Sequence, residues 1–283
     1  MAPGIGVITL VLVAAALHAT WNALVKAGGD RLSVMAVTMG LPALPFAVAL
    51  LFVPIPAAAS WPFLIASVVF HWGYYVCLLY AYRHGDLSQV YPIARGSAPL
   101  LVAFGAWLLA SERLNIYESL GVLILSAGIA SLAWRQEDTR RAGEGRAIAF
   151  ALMTGAMIGL YSLADGLGVR RAATTAGYIL WMFVLTDLPF LFFALWRRRG
   201  QLRTSLLPNL KPGIGGAVSM SLAYAIVIWA MSVAPLVHVV ALRETSVVMA
   251  ALIGALALKE SFGLRRIVAA VVVACGVAIL QVG

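Results

Sequence analysis

Two arginines stand inside long apolar stretches of the sequence, where charged side chains are rare. Arg95 and Arg243 each lie about seven residues from the start of a stretch, a depth of roughly 10 Å at 1.5 Å per helical residue. Charged groups at that depth usually face a cavity or a partner and mark functional sites. A guanidinium presents a planar set of donors that fits a carboxylate or a phosphate. The alternative is a structural role for both arginines, with Glu244 or Asp187 as the paired carboxylate.

Aromatic and polar side chains of the apolar stretches are candidates for the wall of a binding site. His71, Tyr74, Tyr75, Leu78 and Tyr82 recur at steps of three and four residues, which places them on one face of a helix. Tyr74 and Tyr75 lie in mid-stretch rather than at an interface, where aromatic anchors collect, although ordinary packing would give the same spacing. The remaining candidate binding residues are Trp21, Asn22, Tyr91, Tyr224 and Trp229.

Three acidic residues in the apolar stretches are candidates for proton exchange, namely Asp165, Asp187 and Glu244. A carboxyl group in a half-dry site can take up and release a proton near neutral pH, whereas an ion pair with an arginine keeps it ionised. The sequence does not decide between these two states. Glu112 and Glu260 lie at the ends of stretches, where we expect them to satisfy the polar backbone groups of helix termini.

Metal and nucleophile patterns are missing from the sequence. The four histidines form no HxxxH or HExxH pattern, and the two cysteines form no CxxC pair. We therefore expect no metal site, no cofactor and no enzymatic activity. An intramembrane enzyme remains an alternative, and it would need a nucleophile with a base grouped near one membrane face.

The composition requires lipid as the solvent. Of the 283 residues, 63% are hydrophobic and 11% are charged, while soluble domains carry about twice that charged fraction. The formal net charge of +9 comes from short Lys/Arg runs between apolar stretches. Such runs are typical of membrane topology signals, so we expect a bilayer around the protein and no nucleic-acid partner.

Ten stretches reach the length of about 20 apolar residues that a membrane-spanning helix needs. We expect the first of them to be a retained helix rather than a signal peptide, because its apolar run is longer than a signal core and no Lys/Arg precedes it. The stretches are approximately 4–26, 32–54, 61–82, 88–110, 114–134, 146–169, 172–196, 212–233, 236–258 and 264–282.

The two halves of the chain resemble each other at a shift of 148 residues. Arg95 then falls on Arg243 and Glu112 on Glu260. The predicted repeats are residues 1–135 and 146–283, joined by a linker at 136–145. Because five helices is an odd number, the second repeat enters the membrane from the opposite side. The predicted fold is an all-α integral membrane protein with ten transmembrane helices, arranged as two inverted five-helix repeats around a central cavity.

Lys and Arg are distributed unequally between the two predicted faces of the membrane. The loops after stretches one, three, five, seven and nine, with their flanks, hold fifteen of these residues. The opposite face holds only Arg113, Arg170 and Arg171. The positive-inside rule places the first set in the cytoplasm and both termini outside.

Four segments resemble the drug/metabolite transporter superfamily, specifically its EamA-type permeases. They are residues 18–26 (HATWNALVK), 91–100 (YPIARGSAPL), 112–114 (ERL, answered by Glu260) and 161–166 (YSLADG). The resemblance covers essentially the whole chain. It implies ten helices in two inverted repeats, alternating access without ATP, and small metabolites such as amino acids as substrates. It also implies cytoplasmic termini, which disagrees with the Lys/Arg count.

The sequence thus favours a secondary transporter in a bacterial inner (plasma) membrane. Its expected substrate is a small polar metabolite, anionic or zwitterionic, such as an amino acid or organic acid, with a proton as a candidate coupling ion. A multidrug exporter of lipophilic cations is the alternative, since Asp187 or Glu244 could bind a cation. The internal repeat allows one chain to be the working unit, and the sequence leaves monomer and homodimer both open.

Overall fold

The computed structural model describes residues 3–27, 31–84, 87–133, 144–197, 207–257 and 264–283. These residues form helices and short connections, with no strand among them. Three single 3₁₀ turns, Leu50–Phe52, Ala58–Ser60 and Leu207–Asn209, join the longer elements. The α-helices are α1 (Ile5–Ala27), α2 (Arg31–Ala49), α3 (Trp61–His84), α4 (Leu87–Leu109), α5 (Ile116–Ser131), α6 (Glu144–Val169), α7 (Thr175–Arg197), α8 (Leu210–Val233), α9 (Leu236–Glu244), α10 (Ser246–Ala257) and α11 (Leu264–Val282).

Helices satisfy every backbone polar group internally, which is why long apolar sequences adopt them in lipid. Eight helices in the described residues are long and apolar enough to cross a membrane, and α5 is a shorter apolar helix. Large apolar side chains cover the outer surface, as at Phe104, Trp107 and Phe192, which are 61%, 55% and 63% exposed. Such a surface suits contact with acyl chains. The prediction of an all-α membrane protein is therefore confirmed.

A break separates α9 from α10 at Thr245, two residues after Arg243. The Thr245 hydroxyl donates to the Leu242 carbonyl at 2.6 Å, and the Thr245 amide reaches the same oxygen at 3.2 Å. This side-chain bond competes with the regular helical ladder. By contrast, α4 is continuous although Pro92 and Pro99 lie inside it. The ninth predicted stretch is therefore two short helices, while the fourth is one.

The helices pack in pairs that repeat between the two halves of the chain. Helix α3 packs along α6, and α1 packs along α8 in the same way. Helix α4 contacts α6, and α9 and α10 contact α1. Two further pairs, α2 with α7 and α5 with α11, join corresponding helices of the halves directly. This arrangement brings α4, α6 and α9 together in the interior, and these helices carry the deep charged residues.

Two glycines allow α5 and α11 to approach closely. A Cβ atom at Gly121 would lie 2.6 Å from the Leu280 nitrogen and 2.8 Å from the Gly276 oxygen. These are backbone atoms, so no side-chain rotation could relieve the clash. Small residues at such crossings are the usual basis of tight helix pairing in membranes.

We expect Gly121→Ala to lower the thermal unfolding midpoint of the purified protein by about 5 °C, because overpacking of this kind costs ~1–3 kcal/mol. Gly6→Ala is the matched control, since a Cβ at Gly6 meets nothing within 4 Å. The measurement is a thermal melt in detergent. Equal midpoints for the two variants would contradict the close α5–α11 contact.

Candidate functional site

The centre of the site is an ion cluster in which one carboxylate joins the two deep arginines. Glu244 Oε2 lies 2.7 Å from Arg95 Nε, and Glu244 Oε1 lies 3.3 Å from Arg243 Nη2. All three side chains are buried, and Glu244 has no exposed surface. Glu244 is the partner that the sequence offered for a structural role of the arginines. The cluster of Arg95, Glu244 and Arg243, called the arginine site below, carries a net charge of +1.

Hydroxyl groups and aromatic rings hold the two guanidinium groups. Arg95 Nη2 donates to Ser246 Oγ at 2.8 Å, and Arg243 Nη2 donates to Ser162 Oγ at 3.3 Å. The Arg95 guanidinium lies 5.8 Å from the centre of the Tyr91 ring, and that of Arg243 lies 5.8 Å from the Tyr161 ring. Cation–π contacts at this distance are attractive. Arg243 Nε has no hydrogen-bond partner in the described residues, so the site retains a free donor.

An aromatic group adjoins the arginine site along α3, α6 and α8. The His71 ring stacks on the Tyr161 ring with a centroid distance of 4.0 Å. Tyr74 and Tyr224 meet the Tyr161 ring edge-on at 6.1 and 6.2 Å. Tyr161 therefore stands between the Arg243 guanidinium and the other rings. Tyr74 and Tyr224 are only partly buried although they lie in mid-helix, as expected for side chains that border an interior space.

Asp165 lies on α6 one helical turn after Tyr161 and has no exposed surface. The Tyr224 hydroxyl donates to its Oδ2 at 2.5 Å, and the Tyr178 hydroxyl donates to its Oδ1 at 3.1 Å. No arginine or lysine in the described residues forms an ion pair with this carboxylate. Tyr224 thus links Asp165 to the aromatic group beside the arginine site.

The structure brings together most of the candidate residues from the sequence. Arg95, Arg243, Glu244 and Tyr91 form or flank the arginine site, and His71, Tyr74, Tyr224 and Asp165 adjoin it. Helix α1 contributes through His18, which interacts electrostatically with both arginines. The Trp21 indole donates to His18 Nδ1 at 3.2 Å, and the Asn22 amide donates to the His18 carbonyl at 2.7 Å.

Three candidates lie at the edge of this group or outside it. Tyr75 contacts Tyr74, with ring centroids 5.3 Å apart, and faces Asp187. Asp187 is buried on α7, and its Oδ2 has no hydrogen-bond partner in the described residues. Trp229 is 37% exposed on the surface of α8 and makes no ring contact with the aromatic group. The expectation that Trp229 lines the site with Tyr224 is not supported by this placement, because the two side chains occupy different faces of α8.

Residues Tyr161, Ser162, Tyr178 and Ser246 contact the site but were not among the candidates. Tyr161 and Ser162 belong to the YSLADG segment that carries the family resemblance. The step of four residues from Tyr161 to Asp165 was a usable signal, because it places both on one helical face. Nothing in the sequence near Tyr178 indicates that its hydroxyl reaches back to α6. No group of three or more potential metal ligands occurs among the described residues.

Contacts between the two halves link them at the membrane face that is poor in Lys and Arg. The Glu112 carboxylate accepts the Leu236 amide at 2.9 and 3.1 Å and pairs with Arg170 Nη1 at 2.9 Å. Arg170 also donates to the Met231 and Ala234 carbonyls. The expected capping role of Glu112 is confirmed, although the capped helix is α9 rather than a neighbour in sequence. Glu260 lies outside the described residues.

Removing this link should open the Lys/Arg-poor face. We expect Glu112→Ala to raise the maleimide labelling rate of a cysteine placed at the buried Ala234 several-fold, in a background with Cys77 and Cys275 replaced by serine. The lost contacts include an ion pair and the hydrogen bond from the Leu236 amide at a helix terminus, which the two carboxylate oxygens share. Glu144→Ala is the control, because Glu144 contacts Gln89 and begins α6 at the other face. Unchanged labelling in the Glu112 variant would contradict a gating role for the link.

Comparison with known proteins gives one family and one fold. The profile of the EamA-like transporter family matches residues 5–134 and again residues 145–282. A crystal structure superposes with a TM-score of 0.73, covering 98% of this chain and 95% of that chain at 17% sequence identity. That identity is low, so the match shows a shared fold only. None of the curated proteins compared matches the chain. The two profile matches confirm the resemblance, and the protein is a multi-pass membrane protein that belongs to the EamA-like transporter family.

Proposed function

We propose that this protein is a secondary transporter that binds a small anionic or zwitterionic metabolite at the arginine site. The observation that carries the proposal is the buried net positive charge of Arg95, Glu244 and Arg243, together with the free donor on Arg243. An isolated charge is costly in a dry interior. A bound carboxylate would pair directly with the charge of the cluster, which the empty site can balance only from a distance through Asp165, and would accept a hydrogen bond from the unused donor.

The proposed architecture is ten transmembrane helices in two inverted repeats, residues 1–135 and 146–283. The packing of the described helices supports it, since exchanging the first five spans for the second five leaves the most extensive neighbouring pairs unchanged. Arg95 and Arg243 then occupy equivalent places on α4 and α9, next to the axis that relates the halves. Sites of inverted-repeat transporters lie in this position.

Alternating access follows from the same symmetry. In this structure Glu112, Arg170 and Leu236 tie the halves together at the Lys/Arg-poor face. We infer that this state exposes the arginine site to the other face, and that rocking of the halves breaks the link. We infer that the protein lies in the plasma membrane of a bacterium. The Lys/Arg count then orients the linked face towards the outside of the cell.

A multidrug exporter of lipophilic cations is the second candidate function. The environment of Asp165 favours it, because no arginine or lysine among the described residues pairs with this buried carboxylate, which lies among aromatic rings. Aromatic rings with one carboxylate attract organic cations. The nearby net positive charge of the arginine site opposes a cation, and for that reason we rank this function second.

A thermal-shift screen of the detergent-purified protein separates the two functions. The panel contains amino acids, organic acids, phosphonates, phosphorylated metabolites and lipophilic cations. A ligand that binds only the folded state raises the unfolding midpoint by mass action. Stabilisation by anions or zwitterions would support the arginine site as the substrate site. Stabilisation by cations alone would overturn it and favour the exporter.

A further inference from the structure

We propose that Asp165 binds one proton together with each singly charged anion that occupies the arginine site, so that anion and proton cross the membrane together. This inference rests on the proposed function, because the anion is the ligand of the arginine site. Asp165 adjoins that site through Tyr224 and Tyr161 yet forms no ion pair with either arginine.

Asp165 is enclosed by groups from several helices, and none of those that touch it is a fixed cation. The hydroxyls of Tyr178 and Tyr224 donate directly to it, and the Ser67 side chain also forms a hydrogen bond with it. The titratable and charged groups that face this region are Ser67, His71 and Tyr74 on α3, Arg95 on α4, Tyr161 on α6, Tyr178 on α7, Tyr224 on α8, and Arg243 with Glu244 on α9.

His71 is the nearest group that could carry a positive charge. Its Nδ1 lies 2.9 Å from the Ser67 carbonyl, so this nitrogen holds the hydrogen that the carbonyl accepts. The ring stacks on Tyr161 and interacts electrostatically with Asp165, but no ion pair joins the two residues in the described part of the chain. These contacts fit a neutral imidazole. A proton can therefore join Asp165 without breaking an ion pair, because one tyrosine hydroxyl can turn and accept from the carboxylic acid.

For a substrate that is a monoanion, the charges of the site balance in two states. With Asp165 ionised and no substrate, Arg95 and Arg243 are balanced by Glu244 and Asp165. An anion alone would leave an excess negative charge in the dry interior, where unbalanced charge is expensive. Adding one proton to Asp165 restores neutrality. The empty unprotonated site and the site with anion and proton are thus the two states that can change access.

The other buried carboxyl groups are less suitable proton carriers. Glu244 is already paired with both guanidinium groups, so a proton placed on it would break those ion pairs. Asp187 faces Tyr75 and has no contact with the arginine site, so its protonation would not balance an anion there. The charge argument also distinguishes two classes of substrate. A monoanion requires a proton on Asp165, whereas a zwitterion adds no net charge and needs no proton.

Proton uptake during binding tests the proposal on the purified protein. The probes are the monoanions benzoate, lactate and glutamate, with phenylalanine as a zwitterion, added to weakly buffered protein containing a pH indicator. We expect about one proton taken up for each bound monoanion and none for bound phenylalanine. In Asp165→Asn, a monoanion that still binds should bring no proton.

Controls assign the result to Asp165. Asp187→Asn removes an equally buried carboxyl and should keep the uptake of the unmodified protein. Tyr224→Phe removes one hydrogen bond but leaves the carboxyl, so uptake should persist with a shifted pH midpoint. The Tyr224→Phe variant also tests the proposal if Asp165→Asn fails to fold.

Each outcome bears on one of the two proposals. Binding of a monoanion without proton uptake, or uptake that survives in Asp165→Asn, would overturn the role of Asp165 and leave the arginine site intact. Binding of phenylalanine alone would overturn the role of Asp165 and leave the arginine site intact, whereas absence of binding by all three monoanions and by phenylalanine would overturn the proposed function itself. Uptake lost only in Asp165→Asn, with binding retained, would support both.

Discussion

Glu244→Gln should lower the unfolding midpoint of the protein by about 10 °C, the largest stability effect expected in the molecule. The substitution keeps the shape of the side chain but leaves Arg95 and Arg243 as neighbouring buried cations. Removing one partner from a buried ion pair costs ~3–5 kcal/mol, which is a large share of the usual net stability of a domain. The measurement is a thermal melt at low salt.

A second substitution identifies the cause of that loss. Combining Glu244→Gln with Arg95→Gln removes one positive and one negative charge, so the net charge of the site returns to +1. We expect the double variant to be more stable than Glu244→Gln alone, a coupling that independent sites would not show. Added anions should also stabilise Glu244→Gln more than the unmodified protein, because the site then holds two unbalanced guanidinium groups. A double variant with strictly additive losses would contradict the shared carboxylate.

The positions of the helices could be predicted because membrane helices obey a length and hydropathy rule with few exceptions. The predicted stretch 61–82 corresponds to α3 (Trp61–His84), and 264–282 corresponds to α11. The break at Thr245 could not be predicted in this way, because the equivalent residues Arg95, Gly96 and Ser97 lie in a continuous helix. It depends on one hydroxyl bonding to a carbonyl three residues earlier, a choice that hydropathy does not encode.

The site was predictable where a residue violates the apolar pattern and less so where it conforms. Arg95, Arg243 and Asp165 stand out because burying a charge needs a specific reason. Tyr161 and Tyr178 resemble ordinary packing residues in sequence. Only the fold shows that Tyr161 lies between His71 and Arg243, and that the Tyr178 hydroxyl donates a hydrogen bond to Asp165. The same ambiguity explains why Trp229 was included among the candidate binding residues. It lies near Tyr224 in sequence, but the two side chains are not on the same helical face.

Substitutions of the two arginines should differ from substitution of Glu244 in their effects on stability and on ligand binding. Arg95→Gln or Arg243→Gln leaves Glu244 paired with the remaining arginine, so the empty protein should unfold at nearly the same temperature. The net positive charge is then lost. If the arginine site binds the substrate, these variants should lose affinity for anions while keeping their stability. A purely structural pair would show the reverse.

For each arginine variant we expect the dissociation constant of an anion found in the thermal-shift screen to rise about 30-fold or more, since truncating one partner of a desolvated charge pair costs ~2–5 kcal/mol. Lysine at either position should recover part of the affinity, because it restores the charge but not the planar donors. Arg171→Gln is the control, as Arg171 is exposed and its guanidinium lies 4.7 Å from the Phe63 ring. Isothermal titration in detergent measures the dissociation constant for each of these variants. Unchanged affinity in both arginine variants would mean that Glu244 and its partners form a structural cluster and that the substrate binds nearer to Asp165. Loss of affinity in both variants would mean that the anion binds between the two repeats.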